Sequence, residues 1–225
     1  MWLMNINKIE KKMSKRNNYA VIFDLDGTLI DSNKLIIDSF EYVFNKHFPN
    51  LHITKEEYIS FIGPTLWESF KRYEKDPEKV DEYVRDYRYH NEAFHDENLS
   101  TFEGAHLLLK TLKEKDVKVG IVSSKMHYMV KRGLEVSGLL PYVDVIVGAD
   151  DVVNHKPHKE PIVKCMSLLN VQEAFYVGDH PNDILSGRNA GIKTIGVSYS
   201  WHIEALRLTN PDFMVKCLLD ILEVI

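Results

Sequence analysis

Two aspartates, Asp24 and Asp26, stand at the end of an apolar run and directly before a glycine. The run Val21–Phe23 is typical of a buried strand, and side chains two positions apart leave a strand on the same side. The two carboxylates therefore lie close together, and they repel each other unless a cation binds them or one of them keeps a proton. If a cation binds the two carboxylates, they form a metal site. If one carboxylate keeps a proton, it can act as an acid or a base.

Further polar residues follow other short apolar segments. Ser123 and Ser124 end one such segment, Lys156 lies in a loop before a predicted helix, and Asp179 and Asp183 follow another segment. Carboxylates are ligands that Mg²⁺ prefers, and a lysine neutralises negative charge on a bound group. A hydroxyl and the backbone N–H near a helix start can bind a phosphate. A serine is also a common helix N-cap, so a purely structural role for the two serines stays open.

Strand-like and helical patterns alternate from Glu103 onwards, and this alternation predicts a parallel sheet covered by helices on both faces. Right-handed crossovers bring the carboxyl ends of such strands to one edge, where ligands bind. The polar residues above all fall at that edge. The predicted strands cover residues 117–123, 143–147, 175–178 and 194–197, with a further strand-like piece near 212–215, and the predicted helices cover residues 104–115, 126–137, 160–169 and 182–190.

The segment between the first two predicted strands of the sheet, residues 33–97, shows only helical patterns, and we call it the helical insertion. Ile36, Phe40 and Phe44 recur on one helical face, and Thr54 with Glu57 makes a capping box. The pattern predicts two domains and a lead-in. The larger domain comprises residues 19–32 and 98–225, the smaller one is the helical insertion, and residues 1–18 form a flexible lead-in in which Met13 is a possible start.

The four polar groups resemble, in order, the four motifs of the haloacid dehalogenase-like hydrolases. The run D-L-D-G-T-L after the first strand is similar to motif one, and Ser123 at the end of V-G-I-V-S is similar to motif two. Lys156 before a proline matches motif three, although Lys159 replaces a proline that the family often has. The run G-D-x-x-x-D, which contains Asp179 and Asp183, matches motif four. This resemblance implies a Rossmann-like α/β core with a helical C1 cap inserted after the first strand.

The resemblance also implies a role for each residue in Mg²⁺-dependent phosphoryl transfer. Asp24 would be the nucleophile that forms an aspartyl-phosphate, and Asp26 would be the acid and then the base. Ser123, Ser124 and Lys156 would bind the phosphoryl group. The predicted metal ligands are Asp24, Asp26 through its backbone carbonyl, Asp179 and Asp183.

The helical insertion carries the residues predicted to contact the rest of the substrate. Arg88, Asn91 and His95 are spaced to share a helical face, although a solvated polar face has the same spacing. The run from Tyr87 to Asp96 resembles the bacterial pyrophosphatases within the phosphoglycolate phosphatase-like branch of the family. The resemblance therefore implies a small phosphorylated substrate, similar to phosphoglycolate or pyrophosphate.

Composition limits the partners and the location of the protein. The net charge of −5 provides no basic surface for nucleic acid, and no segment has the length and hydrophobicity of a transmembrane helix. The two cysteines show no paired spacing, which favours a reduced, cytoplasmic setting. We expect a monomer or a homodimer.

His155 and His180 flank the predicted catalytic loops, and we expect them to be solvated.

Three other functions are possible on the same fold. A dehalogenase cleaves a carbon–halogen bond and needs neither Mg²⁺ nor protonation of a leaving oxygen, so Asp26, Asp179 and Asp183 argue against it. A phosphosugar mutase carries a histidine where this chain has Ile36. A non-enzymatic interaction protein would be expected to have lost Asp24 or Asp183.

Overall fold

A computed structural model describes residues 19–225 as strands and helices that alternate along the chain outside the helical insertion. The predicted lead-in, residues 1–18, lies outside the described residues. The described part of the chain contains eight strands: β1 Tyr19–Phe23, β2 Ile30–Asp31, β3 Ser100–Thr101, β4 Lys118–Val122, β5 Val145–Val147, β6 Glu173–Gly178, β7 Lys193–Val197 and β8 Phe213–Val215. Residues 19–225 also contain ten α-helices: α1 Asn33–His47, α2 Lys55–Ile59, α3 Leu66–Phe70, α4 Pro77–Phe94, α5 Ala105–Glu114, α6 His127–Val136, α7 Glu160–Leu169, α8 Pro181–Asn189, α9 Ile203–Leu208 and α10 Ile221–Val224.

Six strands form one parallel sheet in the order β5-β4-β1-β6-β7-β8. β1 occupies a central position because its residues are apolar on both faces and nearly all fully buried. Val21 and Phe23 pack on one face against α5 and α6, whereas Ala20 and Ile22 pack on the other face against α7. The predicted α/β class with a parallel sheet is confirmed.

The helical insertion contains α1 to α4 and has a hydrophobic core of its own. Aromatic rings dominate this core, and Phe40 contacts the rings of Phe61, Phe70 and Tyr87 at centroid distances of 4.7–5.3 Å. The expected capping box of Thr54 and Glu57 starts α2. A second capping box starts α3, and Pro77 occupies the first turn of α4. The last long helix of the insertion, α4, ends at Phe94.

The two ends of the helical insertion meet in a two-stranded antiparallel sheet that the sequence pattern did not predict. Ile30 of β2 pairs with Thr101 of β3, and Asp31 pairs with Ser100. A strand of two residues is too short to show a hydrophobic periodicity, so the sequence pattern could not indicate this pairing. The boundaries of the two domains stay a prediction. No helix among residues 19–225 combines the length and the apolar character that crossing a membrane requires.

Candidate active site

Three aspartates and one lysine meet at the carboxyl edge of the sheet. Asp24 follows β1, Asp179 follows β6, and Asp183 lies in the first turn of α8. One carboxylate oxygen from each lies within 4.8 Å of the others, and all three residues are buried. Lys156 is also buried, and its Nζ donates to Asp24 Oδ1 and to Asp183 Oδ1, each at 2.7 Å. The structure therefore brings together residues from three of the four predicted motifs.

The charges of this cluster do not balance. Burial raises the pKa of Asp24 to about 7, although the Lys156 ammonium opposes this rise. Burial, followed by repulsion from Asp24 and Asp183, raises the pKa of Asp179 well above its usual range. Burial alone would lower the pKa of Lys156, but the two aspartates raise it. One ammonium cannot neutralise three carboxylates, so this set of hard oxygen donors fits a divalent cation such as Mg²⁺.

Further residues hold the three carboxylates in place. Thr28 Oγ1 donates to Asp179 Oδ1 at 3.1 Å, and Tyr176 Oη donates to Asp183 Oδ1 at 3.1 Å. The backbone N–H of His180 donates to Asp183 Oδ2 at 3.0 Å. Within residues 19–225, no donor reaches Oδ2 of Asp24 or Oδ2 of Asp179. These two oxygens are thus available to a metal or to a substrate.

Gly27 provides the space in which Asp179 lies. Its φ of +81° falls in the left-handed region, and a Cβ at this position would come within 2.4 Å of Asp179 Oδ2. Only glycine combines this backbone conformation with such a close approach of a carboxylate. The glycine of the D-x-D-G run therefore shapes the metal-binding side of the site as well as the turn.

Asp26 lies beside the carboxylate cluster and has different partners. Its Oδ1 accepts a hydrogen bond from Ser32 Oγ and a charge-assisted hydrogen bond from Lys125 Nζ, whose distance to Oδ1 is 2.7 Å. The Asp26 side chain does not belong to the group of three carboxylates that could hold a metal. Its predicted role as a ligand concerns the backbone carbonyl and stays a prediction. Sequence reasoning missed Ser32 and Lys125, because neither spacing nor periodicity relates them to Asp26.

The two serines after β4 line the same cavity as the aspartates. Ser123 Oγ accepts a hydrogen bond from the backbone N–H of Lys125 at 3.1 Å. Ser124 Oγ donates to the backbone carbonyl of Gly63, in the helical insertion, at 3.2 Å. Neither serine is the N-cap of α6, since that position is Met126. The simple capping alternative is therefore wrong.

The cavity has a volume of about 390 Å³ and lies between the carboxyl edge of the sheet and the helical insertion. The predicted catalytic, phosphate-binding and metal-binding residues of the larger domain line one end of this cavity. The helical insertion contributes mainly apolar side chains, among them Ile36, Phe40, Leu66 and Trp67. Such a concave, mostly apolar space with a few convergent polar groups is typical of a small-molecule site.

The helical face predicted to meet the substrate reaches the cavity only in part. Arg88 and Asn91 line it, and the Arg88 guanidinium lies 5.1 Å from the centroid of the Trp67 ring. His95 does not line it. His95 follows the last residue of α4, where the chain turns towards the sheet, and its buried ring lies close to Gly133 and hydrogen-bonds Asp96 at 2.9 Å.

His180 is largely buried, so the expectation that it is solvated is wrong. Its ring lies directly against Gly63, where a Cβ would approach the ring to 2.5 Å, and against the ring of His202. This burial lowers the pKa of His180 to about 4. The helical insertion folds back over the loop that carries His180, and no local pattern could indicate this contact. His155 is exposed, as expected, although it lies at the edge of the cavity.

Comparisons with known proteins agree with this arrangement. A pyrophosphatase PpaX from Halalkalibacterium halodurans is 43% identical over 209 residues, which cover 92% of this chain and 96% of the relative. A haloacid dehalogenase-like hydrolase from Bacteroides fragilis superimposes with a TM-score of 0.83 and 26% identity, covering 90% of this chain and 98% of that structure.

A phosphoglycolate phosphatase structure from Lactobacillus plantarum shares the fold, with a TM-score of 0.82 at 20% identity, covering 92% of this chain and 98% of that structure. The sequence model of the haloacid dehalogenase-like hydrolases matches residues 21–197. This match includes all four predicted motifs and confirms the resemblance. The chain therefore belongs to the haloacid dehalogenase-like hydrolase family.

Proposed function

We propose that the protein hydrolyses a small phosphorylated metabolite in a Mg²⁺-dependent reaction through an aspartyl-phosphate, and that inorganic pyrophosphate is its preferred substrate. The observation that carries the proposal is the buried cluster of Asp24, Asp179, Asp183 and Lys156 at one end of the cavity. A nucleophile beside a cationic group and a set of metal ligands is what phosphoryl transfer requires.

In the first step Asp24 attacks phosphorus with Oδ2, the oxygen that no donor among residues 19–225 holds, while Lys156 keeps Oδ1 in place. The bond between phosphorus and the leaving oxygen breaks as the new bond forms. Ser123 and the backbone N–H of Ser124 bind the phosphoryl oxygens. Asp24, Asp179 and Asp183 would hold Mg²⁺, which neutralises charge on the transferring group when it is bound. In the second step Asp26 takes a proton from the water that hydrolyses the aspartyl-phosphate.

Two observations support pyrophosphate as the substrate. The curated relatives with 41–43% identity are named pyrophosphatases. The cavity also contains a cationic group besides Lys156 and the ion-paired Lys125, namely the Arg88 guanidinium, and this group suits an anionic leaving group. Phosphoglycolate also has an anionic leaving group and is the second candidate.

The remaining alternatives fit the cavity less well. Ile36, at the position where the related mutases carry a histidine, lines the cavity with an apolar side chain. A dehalogenase does not require Mg²⁺, so the cluster of three carboxylates argues against this function. We therefore favour hydrolysis over both, with the helical insertion as the cap that closes over the substrate. Free Cys165 and Cys217 support a reduced, cytoplasmic location, and we expect a monomer or homodimer.

The test is a comparison of substrates under one set of conditions. Pyrophosphate, phosphoglycolate, a phosphosugar and p-nitrophenyl phosphate are each assayed for phosphate release with Mg²⁺ and with EDTA. We expect Mg²⁺-dependent turnover, with the highest kcat/KM for pyrophosphate. Phosphate release that is unaffected by EDTA after prior removal of metal would contradict the metal-dependent mechanism. A higher kcat/KM for the phosphosugar than for pyrophosphate would contradict pyrophosphate as the preferred substrate.

A further inference from the structure

Lys125 forms an ion pair with Asp26 that the sequence motifs do not account for. The Nζ–Oδ1 distance is 2.7 Å, and the side chains of Lys125 and Asp26 are only 17% and 13% exposed. Ser32 Oγ donates to the same oxygen. No donor among residues 19–225 reaches Asp26 Oδ2. Both donors thus hold one carboxylate oxygen and leave the other available.

The backbone of Lys125 is fixed at both of its polar groups. Its N–H donates to Ser123 Oγ at 3.1 Å, and its carbonyl accepts from the N–H of Ala149 at 2.7 Å. Gly148 packs against this carbonyl so closely that a Cβ there would come within 3.0 Å of it. A lysine anchored in this way can hold its partner in one rotamer, whereas a lysine on a free loop cannot.

We propose that Lys125, together with Ser32, is a positioning residue that fixes Oδ1 of Asp26 so that Oδ2 is the oxygen that exchanges the proton. This inference rests on the proposed function. As Asp24 Oδ2 bonds to phosphorus, the bond between phosphorus and the leaving oxygen breaks, and its electron pair stays on that oxygen. The proton on Asp26 Oδ2 then moves to the leaving oxygen. In the second step the water oxygen bonds to phosphorus, and the bond between phosphorus and Asp24 Oδ2 breaks with its electron pair on the Asp24 carboxylate. Asp26 Oδ2 takes the proton from that water.

The test compares two aryl phosphates of nearly the same shape. Phenolate is a poor leaving group and needs the proton, whereas p-nitrophenolate leaves without it. Because proton transfer contributes about 100-fold or more in such reactions, we expect Lys125→Met to lower kcat/KM for phenyl phosphate at least about fivefold more than for p-nitrophenyl phosphate. Lys125→Arg should restore part of the loss. Lys131→Met, at an exposed position of α6, is the control and should leave both values unchanged.

A double variant shows whether Lys125 acts through Asp26. In the Asp26→Asn background we expect Lys125→Met to cause no further loss, because the group it positions is already gone. Equal losses on the two substrates, or losses that multiply in the double variant, would overturn the proposal and assign Lys125 to loop structure or to phosphate binding. A wild-type protein that releases phosphate neither from pyrophosphate nor from any of the phosphate esters would instead contradict the proposed function itself.

Discussion

Asp24 is the residue on which the proposed chemistry depends most directly. We expect Asp24→Asn to reduce kcat at least about 100-fold, because an amide oxygen cannot form the covalent intermediate. The fold should persist, since an amide can still accept a hydrogen bond from Lys156. The measurement is phosphate release together with circular dichroism, and Asp38→Asn on the surface of α1 is the control. Turnover above a hundredth of the wild-type value with an unchanged spectrum would refute the nucleophilic role.

Arg88 is the residue predicted to recognise the leaving group. If it binds an anionic leaving group by a charge-assisted hydrogen bond, Arg88→Ala should lose about 1.5–3 kcal/mol of transition-state binding for pyrophosphate. p-Nitrophenyl phosphate has a largely apolar leaving group and should be affected little. Arg85→Ala, at an exposed position one turn earlier on α4, is the control. Equal losses on both substrates would show that Arg88 supports packing against Trp67 instead.

The types and spacing of the motif residues were sufficient to predict the carboxylate cluster. Asp24, Asp179, Asp183 and Lys156 each follow or precede a recognisable element, and parallel topology alone places such positions at one edge. The ion pair of Asp26 with Lys125 could not be predicted, because a contact between side chains from two loops produces no periodic pattern in the sequence. The burial of His180 could not be predicted either, because it depends on how the helical insertion packs against the loop that carries His180.

The loop between α2 and α3 is a part of the helical insertion that contacts the catalytic edge directly. Gly63 has a φ of +106°, its carbonyl accepts a hydrogen bond from Ser124, and its α-carbon lies against the His180 ring. We therefore infer that this loop must be in place for the cavity to close.

Replacement of Gly63 tests this contact. Gly63→Ala adds a Cβ that would lie 2.5 Å from the ring of His180, so we expect the loop to move away and KM for pyrophosphate to rise. The backbone strain alone costs roughly 1 kcal/mol. Gly191→Ala is the matched control, because Gly191 has a φ of +76° and no atom within 4 Å of the added Cβ. Similar kinetic effects in the two variants would mean that strain, and not the contact, matters.

The charge imbalance at the site affects the stability of the molecule as a whole. A ligand that binds only the folded protein stabilises it by about 2.7 kcal/mol at 100 times its dissociation constant, and we therefore expect Mg²⁺ at that concentration to raise the Tm by roughly 5–10 °C. Asp183→Asn should abolish most of this shift, and Asp38→Asn should retain it. The measurement is thermal unfolding with EDTA or Mg²⁺, and an equal shift in Asp183→Asn would contradict the metal site.

The β2–β3 pair makes the helical insertion separable in principle from the sheet. Asp31 lies just before the helical insertion and Ser100 lies just after it, and these two residues are direct partners in an antiparallel pair, so their α-carbons lie only about 5 Å apart. A short turn could join them without moving the sheet, and the helices in between bury their aromatic residues among themselves. The helical insertion is thus a module that could be exchanged for another of the same span, by recombination in evolution or by grafting in the laboratory, while the residues at the carboxyl edge of the sheet are inherited unchanged.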